Sequence, residues 1–351
     1  MIKTAILVNT LQSGGAERQS IVLFNILKKE VPTVLIVIHS GKMEDKMLNL
    51  IEGNKSNIIG LKGSMISKSI ALYSYLKDNE ITHLFNFLTK PNLLGSITGR
   101  AANVQNIYGG IRTSKLPFWK SFLEKIVANH ISTGTIYNSH IGASVFKAKG
   151  FKRAYIISNC FPLINSPRKK NRDFRKIQII SVGRFVPAKD YLTSILVIKS
   201  LVNRGEDIHY NIVGYGKLEK QIRNWISKFN LKNHITVIIN PSNIPELLIQ
   251  SDIYLSTSIY EGTSNSIMEA MNASLPIVAT NVGDNNQLIK NGVSGYINPV
   301  SDFESMSSGI QKLIKNNDVR FQMGIESNRI LRENFSLKKF KEEYLRLLQK
   351  Q

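Results

Sequence analysis

The sequence predicts an α/β protein made of two doubly wound domains. Three observations carry this. Short apolar runs alternate with amphipathic stretches through both halves of the chain, a polar and proline-bearing basic segment separates the halves, and 351 residues exceed what one compact core usually organises. With 42% hydrophobic residues, each half can bury a core of its own.

In the first half the β-rich runs are KTAILVN, TVLIVIH, HLFNF, NIYGG and TGTIYNS, with a helix expected over residues 17–29. The second half repeats the pattern with IQIISVG, HYNIVG, ITVII, DIYLSTS and PIVAT, each followed by a helical stretch. Short runs separated by amphipathic segments are what parallel strands with crossover helices require. Residues 159–176 read as an exposed linker, which puts the boundary near Ser166 and the domains at 1–165 and 166–335. The last segment, 336–351, carries Leu337, Phe340, Tyr344 and Leu347 at helical spacing and is expected to be a terminal helix with one buried stripe.

Composition narrows the function classes. Lys and Arg number 46 against 25 Asp and Glu, a formal charge of +21, which suits nucleic acid, phosphate or the inner membrane leaflet. A biased composition with lysines spread over solvated faces would give the same total. Residues 112–153 concentrate eight Lys or Arg and the single acid Glu124. Neither zinc-finger spacing nor an RNA-recognition aromatic signature occurs, so nucleic acid is the weaker partner. No apolar run reaches the ~18 residues of a membrane span, and MIKTAILVNT leads directly into a glycine loop, so a cytoplasmic protein is expected. Cys160 stands alone, which excludes an internal disulfide and a cysteine metal cluster.

Open α/β sheets bind ligands at the carboxyl ends of their strands, so the loops there are the places to search. Gly14 and Gly15 follow the first strand, where a helix N-terminus can face an anion. A glycine pair also serves plain turn geometry. In SVGRFVPAKDY, Arg184 and Lys189 place two cations after a strand, a pattern suited to a diphosphate because Arg grips two oxygens and Lys acts as a point charge. Gly214 and Gly216 follow the next strand but lack the third glycine of a dinucleotide fingerprint. YEGTSNSIMEA holds Glu261 and Glu269; Ser266 with Glu269 also has the spacing of a helix capping box. KLPFWKSFLEKIVANH places Pro117 at a helix start with Phe118, Phe122 and Ile126 on one face among basic residues. That helix either covers the sheet as an ordinary crossover or lies on an anionic membrane.

These motifs, together with LPIVATNVGDNNQLI, NGVSGYI and the N-terminal GGAER, occur in the order seen in the large retaining glycosyltransferase family (family 4-like, group 1), which the chain resembles over nearly its whole length. The resemblance implies the GT-B architecture, two Rossmann-like domains facing a central cleft, with the first binding the acceptor, the second the nucleotide-sugar donor, and the C-terminal helix crossing back to the first. It implies that Glu261 meets the donor sugar and Glu269 the ribose. Arg184 and Lys189 would stabilise the departing diphosphate, while Gly14, Gly15, Gly214, Gly216, Gly262, Thr263, Ser264, Asn265 and Ser266 would line the donor site. Gly283, Asp284 and Asn285 are offered as sugar or acceptor contacts. Arg112 stands where many members have a histidine, with His83 and His130 elsewhere, and is offered for phosphates or an anionic acceptor. Gln287 stands where the family often has a glutamate.

The expected activity is retaining transfer of a hexose from a nucleotide sugar, uridine-linked, to a lipid-linked or glycan acceptor in capsule, lipopolysaccharide or related surface-polysaccharide synthesis. No Asp-x-Asp pair is present, so neither metal nor other cofactor is expected. The partners would be a polyprenyl-diphosphate-linked acceptor and the anionic inner membrane surface, to which a cytoplasmic enzyme would attach peripherally. A sugar-nucleotide epimerase and a non-catalytic scaffold of polysaccharide assembly are the alternatives.

Overall fold

The computed structural model describes residues 1–12, 14–113, 116–161 and 176–349. They form two compact units, Met1–Cys160 with Leu337–Gln351, and Phe161–Ser336. The expected boundary near Ser166 falls within 162–175, outside the described residues.

The first unit runs β1 (Thr4–Val8), α1 (Gly15–Leu27), β2 (Thr33–Val37), α2 (Asp45–Leu48), β3 (Ile58–Gly60), α3 (Met65–Asp78), β4 (His83–Phe87), α4 (Thr89–Ala101), β5 (Asn106–Ile111), α5 (Phe118–His130), β6 (Gly134–Tyr137), α6 (His140–Ala148) and β7 (Ala154–Ile156). Its parallel sheet has the order β3-β2-β1-β4-β5-β6-β7, so the winding reverses between β1 and β4. The second unit runs β8 (Ile177–Arg184), a 3₁₀ turn (Pro187–Lys189), α7 (Tyr191–Asn203), β9 (Ile208–Tyr215), α8 (Glu219–Lys228), β10 (Ile235–Ile239), α9 (Ile244–Ile249), β11 (Ile253–Ser256), α10 (Asn265–Asn272), β12 (Ile277–Thr280), α11 (Asn285–Leu288), β13 (Gly295–Asn298), α12 (Phe303–Lys315) and α13 (Asn317–Asn334). Its parallel order is β10-β9-β8-β11-β12-β13, reversing between β8 and β11. Such reversal points open a crevice at the carboxyl ends of the strands.

All ten expected strands are present. The unanticipated ones, β3, β7 and β13, are three or four residues long and only partly buried, so no apolar run announces them. The last helix, α14 (Leu337–Leu348), belongs to the first unit. Phe340, Tyr344, Leu347 and Leu348 join the core that holds Ile6, Phe24 and Phe85. Tyr344 meets the Phe85 ring edge-on at 5.4 Å, and the Tyr108 hydroxyl donates to the Leu347 carbonyl at 3.3 Å. Leu337, expected in that stripe, is instead 39% exposed at the helix start; Leu348 takes the buried place.

Helix α5 lies between β5 and β6 as a crossover helix should, but with the apolar stripe turned outward. Phe118 is 88% exposed, Trp119 58%, Phe122 57% and Ile126 41%, while Glu124, Val127 and Ala128 are buried. Glu124 is held by the side-chain amide of Asn92 on α4, which donates to both carboxylate oxygens at 3.1 Å. The same Asn92 accepts from the Gly110 N–H at 2.9 Å and donates to its carbonyl at 3.2 Å, closing the end of β5. A polar lock, rather than hydrophobic covering, sets the rotation of this helix.

Candidate active site

The loops after β8 and β11 are stitched together. The Thr257 hydroxyl contacts the carbonyls of Lys189 and Asp190 at 3.0 and 2.8 Å, and the Ile259 N–H donates to the Ala188 carbonyl at 2.9 Å. Asp190, with φ +44°, ends the 3₁₀ turn and caps α7 by accepting from the Thr193 N–H and hydroxyl. That clamp leaves Lys189 pointing at Glu261, Nζ to Oε1 at 2.5 Å. The Ser258 hydroxyl donates to the same oxygen at 2.8 Å. Both partners are mostly shielded, with side chains 21% and 14% exposed, so the attraction is screened less than at an open surface. A carboxylate has about four acceptor positions, so two donors on Oε1 leave capacity for a hydroxyl.

The other sequence-predicted residues of this unit lie at the ends of neighbouring strands and in the loops after them. Arg184 ends β8 and is exposed. Gly214 must be glycine: at φ +154° a Cβ there would lie 1.9 Å from the Gly183 carbonyl oxygen. Gly216 likewise passes over the backbone of Phe185, where a Cβ would lie 2.6 Å from the carbonyl oxygen. The loop after β12 rests on Glu261 and Gly262, since Gly283 at φ +56° would press a Cβ to 2.3 Å from the Gly262 oxygen, which also accepts from the Asp284 N–H at 3.0 Å. Asp284 and Asn285 are themselves buried, and the Asn285 amide donates to the Thr280 carbonyl at 2.9 Å, so these two side chains shape the loop from within.

Helix α10 begins at Asn265 with Ser264 as its N-terminal cap residue, and the Ser264 side chain makes no capping hydrogen bond. The expected capping box is therefore not formed: Ser266 lies inside the helix, and the Ser264 and Ser266 hydroxyls are 3.2 Å apart. Thr263 and Ser264 are buried at the entrance, and Glu269 stands partly exposed one turn in. Beneath them the Tyr254 hydroxyl donates to the Val182 carbonyl at 3.2 Å. Burial first, and then the charges of Glu269 and Glu261, hold this phenol well above its ordinary range. Both glutamates thus bear on one buried group, with a helix N-terminus between them that can receive a phosphate.

In the first unit Gly14 caps α1 in an extended conformation and Gly15 opens that helix. Arg112 is turned inward. Its guanidinium donates to Asn159 at 2.7 Å, bonds the Tyr344 hydroxyl and lies 4.3 Å from the centre of the Phe87 ring, with Nε buried and without a partner. Neither His83, buried on β4, nor His130, at the end of α5, stands in its place. Sequence reasoning missed Ser258 and Thr257, ordinary strand-end residues whose contacts arise only between loops. Asp190 had a local signal, since an Asp just before a helix is a strong capping residue.

Residues 164–330 match the family model described as glycosyl transferases group 1. That segment is a glycosyl transferases group 1 domain, and the chain as a whole has the GT-B fold. An uncharacterised glycosyltransferase of Haemophilus influenzae is 24% identical to it, over 97% of this chain and 98% of the relative. A UDP-Gal:alpha-D-GlcNAc-diphosphoundecaprenol alpha-1,3-galactosyltransferase of Escherichia coli is 23% identical, over 86% and 84%. Among solved structures, HepE of Anabaena in complex with UDP superposes with a TM-score of 0.85 at 17% identity, covering 99% of both chains. Among its described residues the transferase gathers no group of three or more His, Cys, Asp and Glu that could hold a metal, and no helix is long and apolar enough to cross a membrane.

Proposed function

We propose that this transferase moves a hexose, with retention, from a uridine-diphosphate sugar to a diphosphate-lipid-linked acceptor in surface-polysaccharide synthesis. The observation that carries the reading is the Lys189–Glu261 contact four residues ahead of the N-terminus of α10, where the Ser264 side chain makes no cap. Cleaving a sugar–phosphate bond develops negative charge on the departing diphosphate and positive charge at the anomeric carbon. Arg184, Lys189 and the first N–H groups of α10 are suited to the former, and pre-set donors of this kind usually make the largest catalytic contribution. Glu261, with acceptor capacity remaining, is suited to hold sugar hydroxyls, and Glu269 to hold the ribose. The acceptor attacks from the face the diphosphate leaves, and a phosphate oxygen takes its proton.

Support for a uridine donor and a lipid-linked acceptor comes from the relatives' names and from the outward face of α5. That helix exposes Phe118, Trp119, Phe122, Leu123 and Ile126 beside Lys120 and Lys125, while its only acid, Glu124, is buried. Lys120 lies over the Trp119 ring at 5.2 Å, and an amphipathic surface with cations and no exposed carboxylate matches an anionic bilayer. The deciding experiment incubates purified protein with labelled UDP-sugars and a sugar-diphosphate-lipid acceptor. Label appearing in the lipid with α-configuration supports the reading, whereas conversion of the donor alone, or no reaction with any donor, overturns it.

A further inference from the structure

At the carboxyl end of the first unit's sheet lies a group of cations that the donor chemistry does not use. Lys68, in the first turns of α3, is only 8% exposed, yet it makes no ion pair with a described residue. Among the described residues its ammonium is partnered by His39, just past β2, with Nζ and Nδ1 3.2 Å apart. An ammonium has three donors and no acceptor, so Nδ1 must accept. The imidazole is therefore neutral and carries its proton on Nε2, which remains a donor. Lys42 follows in the next loop, whose Lys42 carbonyl accepts from the Leu11 N–H at 2.9 Å, beside the glycine loop after β1. Lys90 lies in the first turn of α4.

The helix that carries Lys90 is entered through a strained residue. Leu88 has φ +75° and ψ 168°, a region that residues other than glycine rarely occupy. Its N–H donates to the Gly110 carbonyl, so the strain is held by β5. Such strain sets the entry of α4 at the same strand ends, and Leu88, its N-terminal cap residue, makes no side-chain cap.

We infer that Lys68, His39, Lys42 and Lys90 form a second oxyanion site, taking the phosphate or diphosphate group of the acceptor. A buried ammonium without a counter-charge is costly, and an arriving phosphate supplies one while offering acceptors to the Lys68 and His39 donors. In support, burial first, and then Lys68, Lys90 and Lys42, push His39 below its ordinary value. The identification of the anion as acceptor rests on the transferase reading. The existence of the site does not.

The test uses full-length protein with UDP at saturation, so that the donor residues are occupied, and two probes: inorganic pyrophosphate and a water-soluble short-chain prenyl diphosphate. Each is titrated by calorimetry, and the His39 ring-proton resonance is followed against pH. A bound anion is expected to raise the His39 pKa. Lys68→Met, which keeps side-chain length, is expected to weaken the probe at least tenfold while leaving UDP affinity as in the wild type; Lys90→Ala should weaken it less, being exposed. Binding of both probes assigns the site to phosphate as such, and binding of the prenyl compound alone assigns it to a lipid headgroup. Either result supports the site. If neither probe binds beside UDP, if Lys68→Met binds as tightly as the wild type, or if the His39 titration does not move, the inference fails. Because no transfer is measured, a failed transfer assay would leave a positive result standing.

Discussion

Lys189 and Glu261, 72 residues apart, meet at 2.5 Å at the carboxyl ends of two adjacent strands, β8 and β11. The contact makes the cation proposed for the diphosphate and the carboxylate proposed for the sugar one electrostatic unit. Removing either leaves the other shielded from water without its partner.

The two glutamates are separable by nucleotide binding. Glu261→Gln is expected to leave affinity for UDP nearly unchanged while abolishing transfer, because the lost contact belongs to the reacting sugar. Glu269→Gln is expected to weaken UDP itself about tenfold, in line with the ~1.5–3 kcal/mol of a hydrogen bond to a charged group. Lys189→Met should lower both UDP affinity and transfer. Calorimetric titration with UDP checks all three, and equal losses in both Gln variants would refute the assignment.

The outward face of α5 makes a spectroscopic prediction. Trp119, 58% exposed, should shift its emission to the blue on vesicles rich in anionic lipid, less so as salt rises, since exposed charges are screened over ~8 Å at physiological ionic strength. Replacing Phe118 and Phe122 by Ser should remove vesicle sedimentation and leave UDP affinity intact. Equal binding to neutral and anionic vesicles would show that charge plays no part, and a protein dimer broken by the same double variant would show that the face meets a second copy instead.

Glu124 makes stability depend on pH. Burial raises its carboxyl to about 7 from 4.5, against the opposing hydrogen bonds of Asn92 and Thr89. Between those values the unfolded chain gives up a proton that the folded one keeps. Stability from this group therefore falls as pH rises from about 4.5 to 7 and levels off above. Glu124→Gln, which can keep one bond to Asn92, should flatten that part of the denaturation profile. An unaltered slope would mean that the carboxyl is not held protonated.

The terminal helix is expected to be part of the first unit's core and not an appendage. Phe340 is 3% exposed against Phe24 and Tyr344. Phe340→Ala should cost about 3–5 kcal/mol in chemical denaturation. Leu337→Ala, at a position 39% exposed, should cost far less. Equal costs would contradict the packing.

The sequence by itself determined the two α/β sheets and most of the strand-end loops that carry Arg184, Lys189, Glu261 and Glu269. Both are local properties: a buried parallel strand needs a short apolar run, its crossover needs an amphipathic one, and the ligand loops follow each strand. Tertiary structure alone decided three things. It turned Arg112 inward onto Phe87 and Asn159, it set which face of α5 packs, and it brought Lys68 to His39 and Lys189 to Glu261. An apolar stripe on a helix says that one face differs from the other. The rotation of α5 came instead from Asn92 reaching Glu124 across 32 residues, a polar contact that no periodicity encodes. Which charged groups meet depends on strand order, and strand order is settled only when the whole sheet assembles.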